Sequence, residues 1–83
     1  MYKLLLIPTA KKDLDILPAK ELLRIKDKIL MLAEEPRPRE CLKMTGTGGY
    51  RIRSGNYRIL YRLDDKKKTV YIYRVKHRRE VYR

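Results

Sequence analysis

The sequence predicts an α+β domain of order β-α-α-β-β-β, with two N-terminal helices on one face of a largely antiparallel sheet of about four strands. Three observations predict it. Apolar residues recur three and four apart from Ala10 to Ala33, they alternate with polar ones from Tyr50 onward, and the stretch between, from Pro36 to Gly49, is rich in helix and strand breakers. With 83 residues there is room for one domain, spanning 1–83, and one modest core.

Taken in order, Tyr2 to Ile7 reads as a buried strand, and Thr9 is placed to cap a helix carrying Ala10, Leu14 and Leu17. Pro18 separates it from the next. From Ala19 to Ala33 the apolar positions Leu22, Ile25, Ile29 and Leu32 form one stripe, with Lys20, Glu21, Arg24, Lys26, Asp27 and Lys28 between them, the pattern of an amphipathic helix. Glu34-Glu35-Pro36-Arg37-Pro38 ends it, and Thr45-Gly46-Thr47-Gly48-Gly49 reads as a flexible connection. That glycine run lacks the Lys-Ser/Thr pair and the following helix of a phosphate-binding loop.

The period then changes to two. Tyr50 to Arg53 and Tyr57 to Leu63 make a hairpin through Gly55-Asn56, where a leading glycine suits a type II′ turn. Asp64-Asp65-Lys66-Lys67-Lys68 is the following turn, and Thr69 to Val75 the last strand. Tyr57, Tyr61, Tyr71 and Tyr73 fall at strand spacing and are expected to be packing residues of the core, in a chain without Trp or Phe.

Charge is distributed unevenly. Residues 1–49 hold ten Lys/Arg against seven Asp/Glu, net +3, and residues 50–83 hold twelve against three, net +9. A cationic potential concentrated on the C-terminal strands attracts a polyanion over roughly 8–10 Å in physiological salt, and nucleic acid is the leading partner. Cys41 and His77 are the only residues of their kinds, so neither an internal disulfide nor a Cys- or His-rich metal site is expected, and no cofactor. Leu4-Leu5-Leu6-Ile7 stops at Pro8, too short for a secretory signal or a membrane span; a reducing, cytoplasmic setting without membrane contact is expected.

If the hairpin turns at Gly55-Asn56, then Ser54 pairs with Tyr57, Arg53 with Arg58 and Ile52 with Ile59. Arg51, Arg53 and Arg58 then share one face while Ile52, Ile59, Tyr61 and Leu63 face the helices. Like charges opposite one another cost a sheet roughly 0.2–1 kcal/mol per pair, so the arrangement does not serve the fold. Guanidinium groups on phosphate oxygens would more than offset that repulsion. A solvated outer face is the alternative, and the hairpin by itself does not decide between them.

Two strings, Tyr50-Arg51-Ile52-Arg53-Ser54-Gly55-Asn56-Tyr57-Arg58 and Arg74-Val75-Lys76-His77-Arg78-Arg79-Glu80-Val81-Tyr82, resemble the core and tail of the RelE branch of the RelE/ParE toxin superfamily. The Leu17-Pro18 break and the Leu32-Ala33-Glu34-Glu35-Pro36 helix exit extend the resemblance over nearly the whole chain. It implies the toxin of a toxin–antitoxin pair, a metal-independent ribonuclease that enters the ribosomal A site, cuts mRNA and so inhibits translation. The partners implied are a cognate antitoxin, the ribosome with its mRNA, and operator DNA only through the antitoxin complex. Carried over by position, Arg58 matches the arginine following Tyr on the second hairpin strand, Arg78 the basic residue after the last strand, and Tyr82 the tyrosine near the C-terminus. Arg51 and Arg53 stand where the best-known family member has lysines, and a guanidinium is a poor proton acceptor.

RNA is cleaved by its own 2′-hydroxyl, so the enzyme has to align the attack, stabilise extra phosphate charge and move protons. The expected catalytic set is Arg53, Arg58, Arg78 and Tyr82, with Arg53 and Arg58 on the scissile phosphate and Arg78 near the leaving oxygen. Tyr82 would stack on a base or exchange a proton. The expected phosphate-binding set is Arg51, Arg53, Arg58, Lys76 and Arg79. His77 is expected to support the site rather than react. Two other functions fit the same residues: a ParE-type poison of DNA gyrase, and a basic module that binds RNA or DNA without chemistry.

Overall fold

The computed structural model describes residues 1–46 and 48–81. Its elements are β1 (Lys3–Leu6), α1 (Pro8–Asp15), α2 (Ala19–Glu34), β2 (Leu42–Lys43), β3 (Tyr50–Ser54), β4 (Tyr57–Asp64), β5 (Thr69–His77) and α3 (Arg78–Val81). The sheet has five strands in the order β1-β5-β4-β3-β2, with β1 parallel to β5 and the other neighbours antiparallel.

The expected α+β class stands, but the sheet is mixed and has five strands rather than about four. The additional strand, β2, is two residues long and sits just before the glycine run, too short to display any alternation. The Met44 amide donates to the Gly49 carbonyl at 2.8 Å, and Gly49 is so enclosed that a Cβ there would lie 3.1 Å from the Tyr73 hydroxyl.

Helix α1 begins at Pro8, with Ile7 rather than Thr9 at the cap position and no side-chain cap. Proline supplies the helical φ and has no amide hydrogen to leave unbonded, so the helix starts before Thr9. Pro18 occupies the cap position of α2, which buries Ile25, Ile29, Leu32 and Ala33 along one stripe. Leu14 and Ala10 of α1 join Ile25, Ile29 and Leu32 against Ile52, Ile59, Tyr61, Val70, Ile72 and Val75 of the sheet. Burial of aliphatic side chains of this size stabilises by about 1.5–3 kcal/mol each, so this seam holds the helices on one sheet face.

A bulge shapes β5. Leu60 pairs with Arg74 but Tyr61 pairs with Ile72, so Tyr73 is the extra residue and the face each β5 side chain takes reverses there. Val70 and Ile72 before the bulge, and Val75 after it, therefore share the core side. Strict alternation across the bulge misplaces Tyr71 and Tyr73, which are half-buried outside the core cluster that Tyr61 joins and Tyr57 flanks.

Two polar clusters pin the periphery. The Asp13 carboxylate of α1 accepts from Arg74 Nε at 2.9 Å and from the Val75 amide at 2.9 Å, closing the edge of β5 beyond the end of β1. At the opposite end, Arg37 donates through both terminal nitrogens to Asp65, at 3.1 and 2.7 Å, and through Nε to the Tyr50 hydroxyl at 3.0 Å. Tyr2 adds a hydrogen bond to Asp65 at 2.7 Å. The hydrogen bonds from Arg37 and then Tyr2 lower the Asp65 pKa to about 2, and the same contact with Asp65 raises that of Tyr2.

Replacing Asp13 with Ala strands a backbone donor and an arginine together, and urea unfolding should show a loss of about 1.5–3 kcal/mol. The Asp65 clamp should also be visible in acid. A carboxylate held below its unfolded value of about 3.9 contributes fully above about pH 4 and loses that contribution as pH falls through about 2. Urea midpoints of wild type and Asp65→Asn should therefore differ at neutral pH and converge towards pH 2.

Candidate functional site

The hairpin pairs as its sequence predicts, with Ser54 opposite Tyr57, Arg53 opposite Arg58 and Ile52 opposite Ile59. Gly55 has φ +61° and Asn56 is not among the residues of positive φ, the combination a type II′ turn requires. Register continues across β4 into β5, where Arg58 lies opposite Lys76 and Leu60 opposite Arg74. Directly opposed residues share a face, so Arg53, Arg58 and Lys76 form a row of three cations across three adjacent strands. The row of Ile52, Ile59 and Val75 beside it points the other way, into the core.

Arg58 sits in the middle of that row and is only 4 % exposed. Burial of a guanidinium is costly and uncommon without compensating contacts. Its side chain lines a depression of about 330 Å³ together with Arg51, Arg53, Ile52, Leu42 and Glu40. The depression opens where β2 stops: Leu42 and Lys43 cover only Arg51 and Tyr50, leaving the rest of β3 beyond the reach of that short strand. Three guanidinium groups around one hollow are suited to an oxyanion larger than a carboxylate, such as a phosphodiester.

Of the residues expected from sequence, Arg51, Arg53 and Arg58 are brought together, and Lys76 adjoins them in register. Arg78 and Arg79 are exposed on α3 and do not line the depression. The amide of Arg78 nevertheless donates to the Asn56 carbonyl at 2.7 Å, tying the start of α3 to the tip of the arginine hairpin. Tyr82 lies outside the described residues. His77 pairs with Tyr57, its ring edge-on at 5.2 Å, in the row that flanks the core, so it is on the opposite face from Arg58 and Lys76. Its Nδ1 accepts from the Arg79 amide at 3.3 Å.

Glu40 was not anticipated. In sequence it is one acidic residue in a breaker-rich loop, with nothing to connect it to strands more than ten residues away. Structure puts it on the rim of the arginine depression, where Lys28 of α2 donates to it at 3.1 Å. A hydrogen bond from its own backbone and then the Lys28 ammonium hold its pKa below the ordinary range. It is the one carboxylate lining the hollow among the described residues. Among the described residues no group of three or more His, Cys, Asp or Glu side chains could hold a metal ion, and no helix is long and apolar enough to cross a membrane.

The fold and site together define a small α+β protein in which a two-helix layer covers one face of a five-stranded sheet and arginines gather on the other. The chain belongs to the RelE/ParE superfamily: residues 4–82 match the ParE toxin family of type II toxin–antitoxin systems. It is 38 % identical to Toxin RelG of Mycobacterium tuberculosis over 99 % of this chain and 97 % of that one. It superposes on the toxin–antitoxin complex RelBE2 from the same organism with a TM-score of 0.83 and 35 % identity, covering 92 % of this chain and 96 % of that one. The isolated E. coli RelE toxin gives a TM-score of 0.82 at 29 % identity, covering 99 % of this chain and 92 % of that one. The protein is thus a toxin of a type II toxin–antitoxin system, with a RelE-like structure.

A row of like charges across neighbouring strands should cost the protein stability. Arg53→Thr, which removes one cation from the row and keeps strand propensity, is expected to raise the unfolding free energy by about 0.2–1 kcal/mol in low salt, an effect that shrinks as salt is added. Chemical denaturation at two salt concentrations checks it.

Proposed function

We propose that the toxin is a metal-independent endoribonuclease that cleaves mRNA in the ribosomal A site and so blocks translation. The observation that carries this reading is the convergence of Arg51, Arg53 and the buried Arg58 with a carboxylate, Glu40, around one depression. Arg53 and Arg58 grip the non-bridging oxygens of the scissile phosphate and hold the 2′-oxygen, phosphorus and 5′-oxygen in line. Arg51 and Lys76 hold the neighbouring backbone, and Arg79 adds to the long-range attraction.

The proton inventory follows from the residue types. Guanidinium groups donate hydrogen bonds but do not accept a proton, so the 2′-hydroxyl needs another base. Glu40, kept ionised, is the carboxylate at hand; it takes the 2′-hydroxyl proton as the 2′-oxygen bonds to phosphorus and the bond to the 5′-oxygen breaks. The products are a 2′,3′-cyclic phosphate and a 5′-hydroxyl. Arg78 stabilises the leaving oxygen, which takes its proton from Tyr82 or from water. Reaching it from the start of α3 requires Arg78 to swing towards the hollow on binding, a motion that the Asn56 tether limits to its side chain.

Partners follow from the family and the charge. Relatives have been solved as RelB–RelE complexes, and a cognate antitoxin with an acidic segment would neutralise the cationic face here. Free RNA lacks the fixed geometry that an A-site codon has, so cleavage is confined to ribosomes. Operator DNA is met only through the antitoxin complex, and the setting is the cytoplasm.

The match to the ParE toxin family favours a second reading: a gyrase poison on the same fold. Cleavage of mRNA on purified, programmed ribosomes discriminates. Wild type should cut, Arg58→Ala should cut about 10²–10³-fold more slowly, as for loss of one charge-stabilising donor, and Glu40→Gln should lose a comparable factor. Intact mRNA with broken DNA in gyrase reactions would select the second reading, and steeply salt-dependent binding without any product would select a non-catalytic module.

A further inference from the structure

Helix α2 is known so far as the layer that buries the sheet, yet one of its polar residues reaches the site. Lys28 lies next to the core residue Ile29 and one turn before the core residue Leu32, so its backbone is held by the buried stripe of α2. From there its ammonium donates to Glu40 Oε2 at 3.1 Å, and its side chain is only 27 % exposed against 50 % for Glu40. The loop carrying Glu40 has no regular structure between α2 and β2, and it is anchored upstream by Arg37 on Asp65. Glu40 itself lies in a turn closed by the Cys41 amide on the Pro38 carbonyl at 3.0 Å, two residues before β2, and its side chain is tied to α2 through Lys28.

We infer that Lys28 is a positioning residue: it holds the Glu40 carboxylate on the rim of the arginine depression, charged and aimed at the attacking hydroxyl. This rests on the reading of Glu40 as the proton acceptor.

The need for such a residue is electrostatic. Facing Glu40 across the depression are Arg51 and Arg53 of β3 and Arg58 of β4, and facing it from α2 is Lys28. Without a tether the carboxylate, on an irregular loop, would be drawn onto those arginines by simple pairing. There it would occupy the phosphate site and accept hydrogen bonds from the groups meant for the substrate. Lys28 supplies a competing cation outside the hollow, so the carboxylate stays beside the phosphate site instead of in it. An ammonium donor also stabilises the charged form, which agrees with the lowered proton affinity of Glu40, whose larger cause is its own backbone hydrogen bond.

The test combines kinetics with a direct titration. Single-turnover cleavage on programmed ribosomes, at saturating toxin, is measured for wild type, Lys28→Met, Lys28→Arg and Glu40→Gln. The Glu40 carboxyl carbon of the isolated toxin is followed by NMR as a function of pH in the first three. Lys28→Met should lower the cleavage rate about tenfold with ribosome affinity unchanged, and should move the Glu40 midpoint upward. Lys28→Arg, which restores a cationic donor, should return both to within about twofold of wild-type rate and to the wild-type midpoint. Lys28→Met that cleaves at the wild-type rate, or that loses activity while the Glu40 midpoint stays in place, overturns the inference. A Glu40→Gln toxin as active as wild type instead removes the reading of Glu40 on which it rests.

Discussion

Three cations held opposite one another across β3, β4 and β5 are the constraint around which this molecule is built. Arg53, Arg58 and Lys76 do not choose their proximity; the ladder imposes it, because Ile52, Ile59 and Val75 in the adjacent row must face the core. A slip of one residue in the hairpin would send the arginines into the helices and the isoleucines into water. The hydrophobic seam under the sheet and the cationic row above it are therefore set by the same register. Core burial, worth several times the cross-strand repulsion, is what makes the cationic row sustainable.

The periphery of the site depends on a different set of forces. Its strands are fixed by hydrogen-bonded pairing, while the loop that brings Glu40 to its rim is held by Arg37 on Asp65 and Tyr50 at one end, by the Cys41 amide on the Pro38 carbonyl around Glu40, and by Lys28 on the Glu40 side chain. Tyr50 in turn stacks on Tyr61, with ring centres 5.7 Å apart, and the buried Tyr61 hydroxyl donates to the Pro36 carbonyl at 2.8 Å. Burial, more than any neighbouring charge, pushes the Tyr61 pKa upward, so this hydroxyl stays a neutral donor. The breaker-rich loop that joins helix layer and sheet is thereby made part of the rigid frame.

Much of this was legible in the sequence, for identifiable reasons. The amphipathic stripe of α2 and the Gly55-Asn56 turn are local signals, and a two-residue turn there by itself dictates the pairing of Arg53 with Arg58. What stayed hidden was non-local. β2 is too short to show a period, the parallel pairing of β1 with β5 joins the two ends of the chain, and the bulge at Tyr73 reverses the faces that strict alternation assigns. Glu40 was missed because its partners Lys28, Arg51 and Arg58 are brought to it only by the tertiary fold. Arg78, grouped with the arginines by its motif, begins a helix beside the hairpin tip and does not line the hollow.

The central claim, that the cross-strand arginines receive one RNA phosphodiester, is tested most directly by a structure of the toxin on a ribosome carrying an A-site codon whose 2′-hydroxyls are methylated to prevent cleavage. The account predicts one phosphate of the A-site codon within about 3 Å of both the Arg53 and Arg58 guanidinium groups, with Glu40 towards the blocked 2′-oxygen. Density for the RNA backbone elsewhere, with the Arg53–Arg58–Lys76 row facing solvent or ribosomal protein, would contradict it.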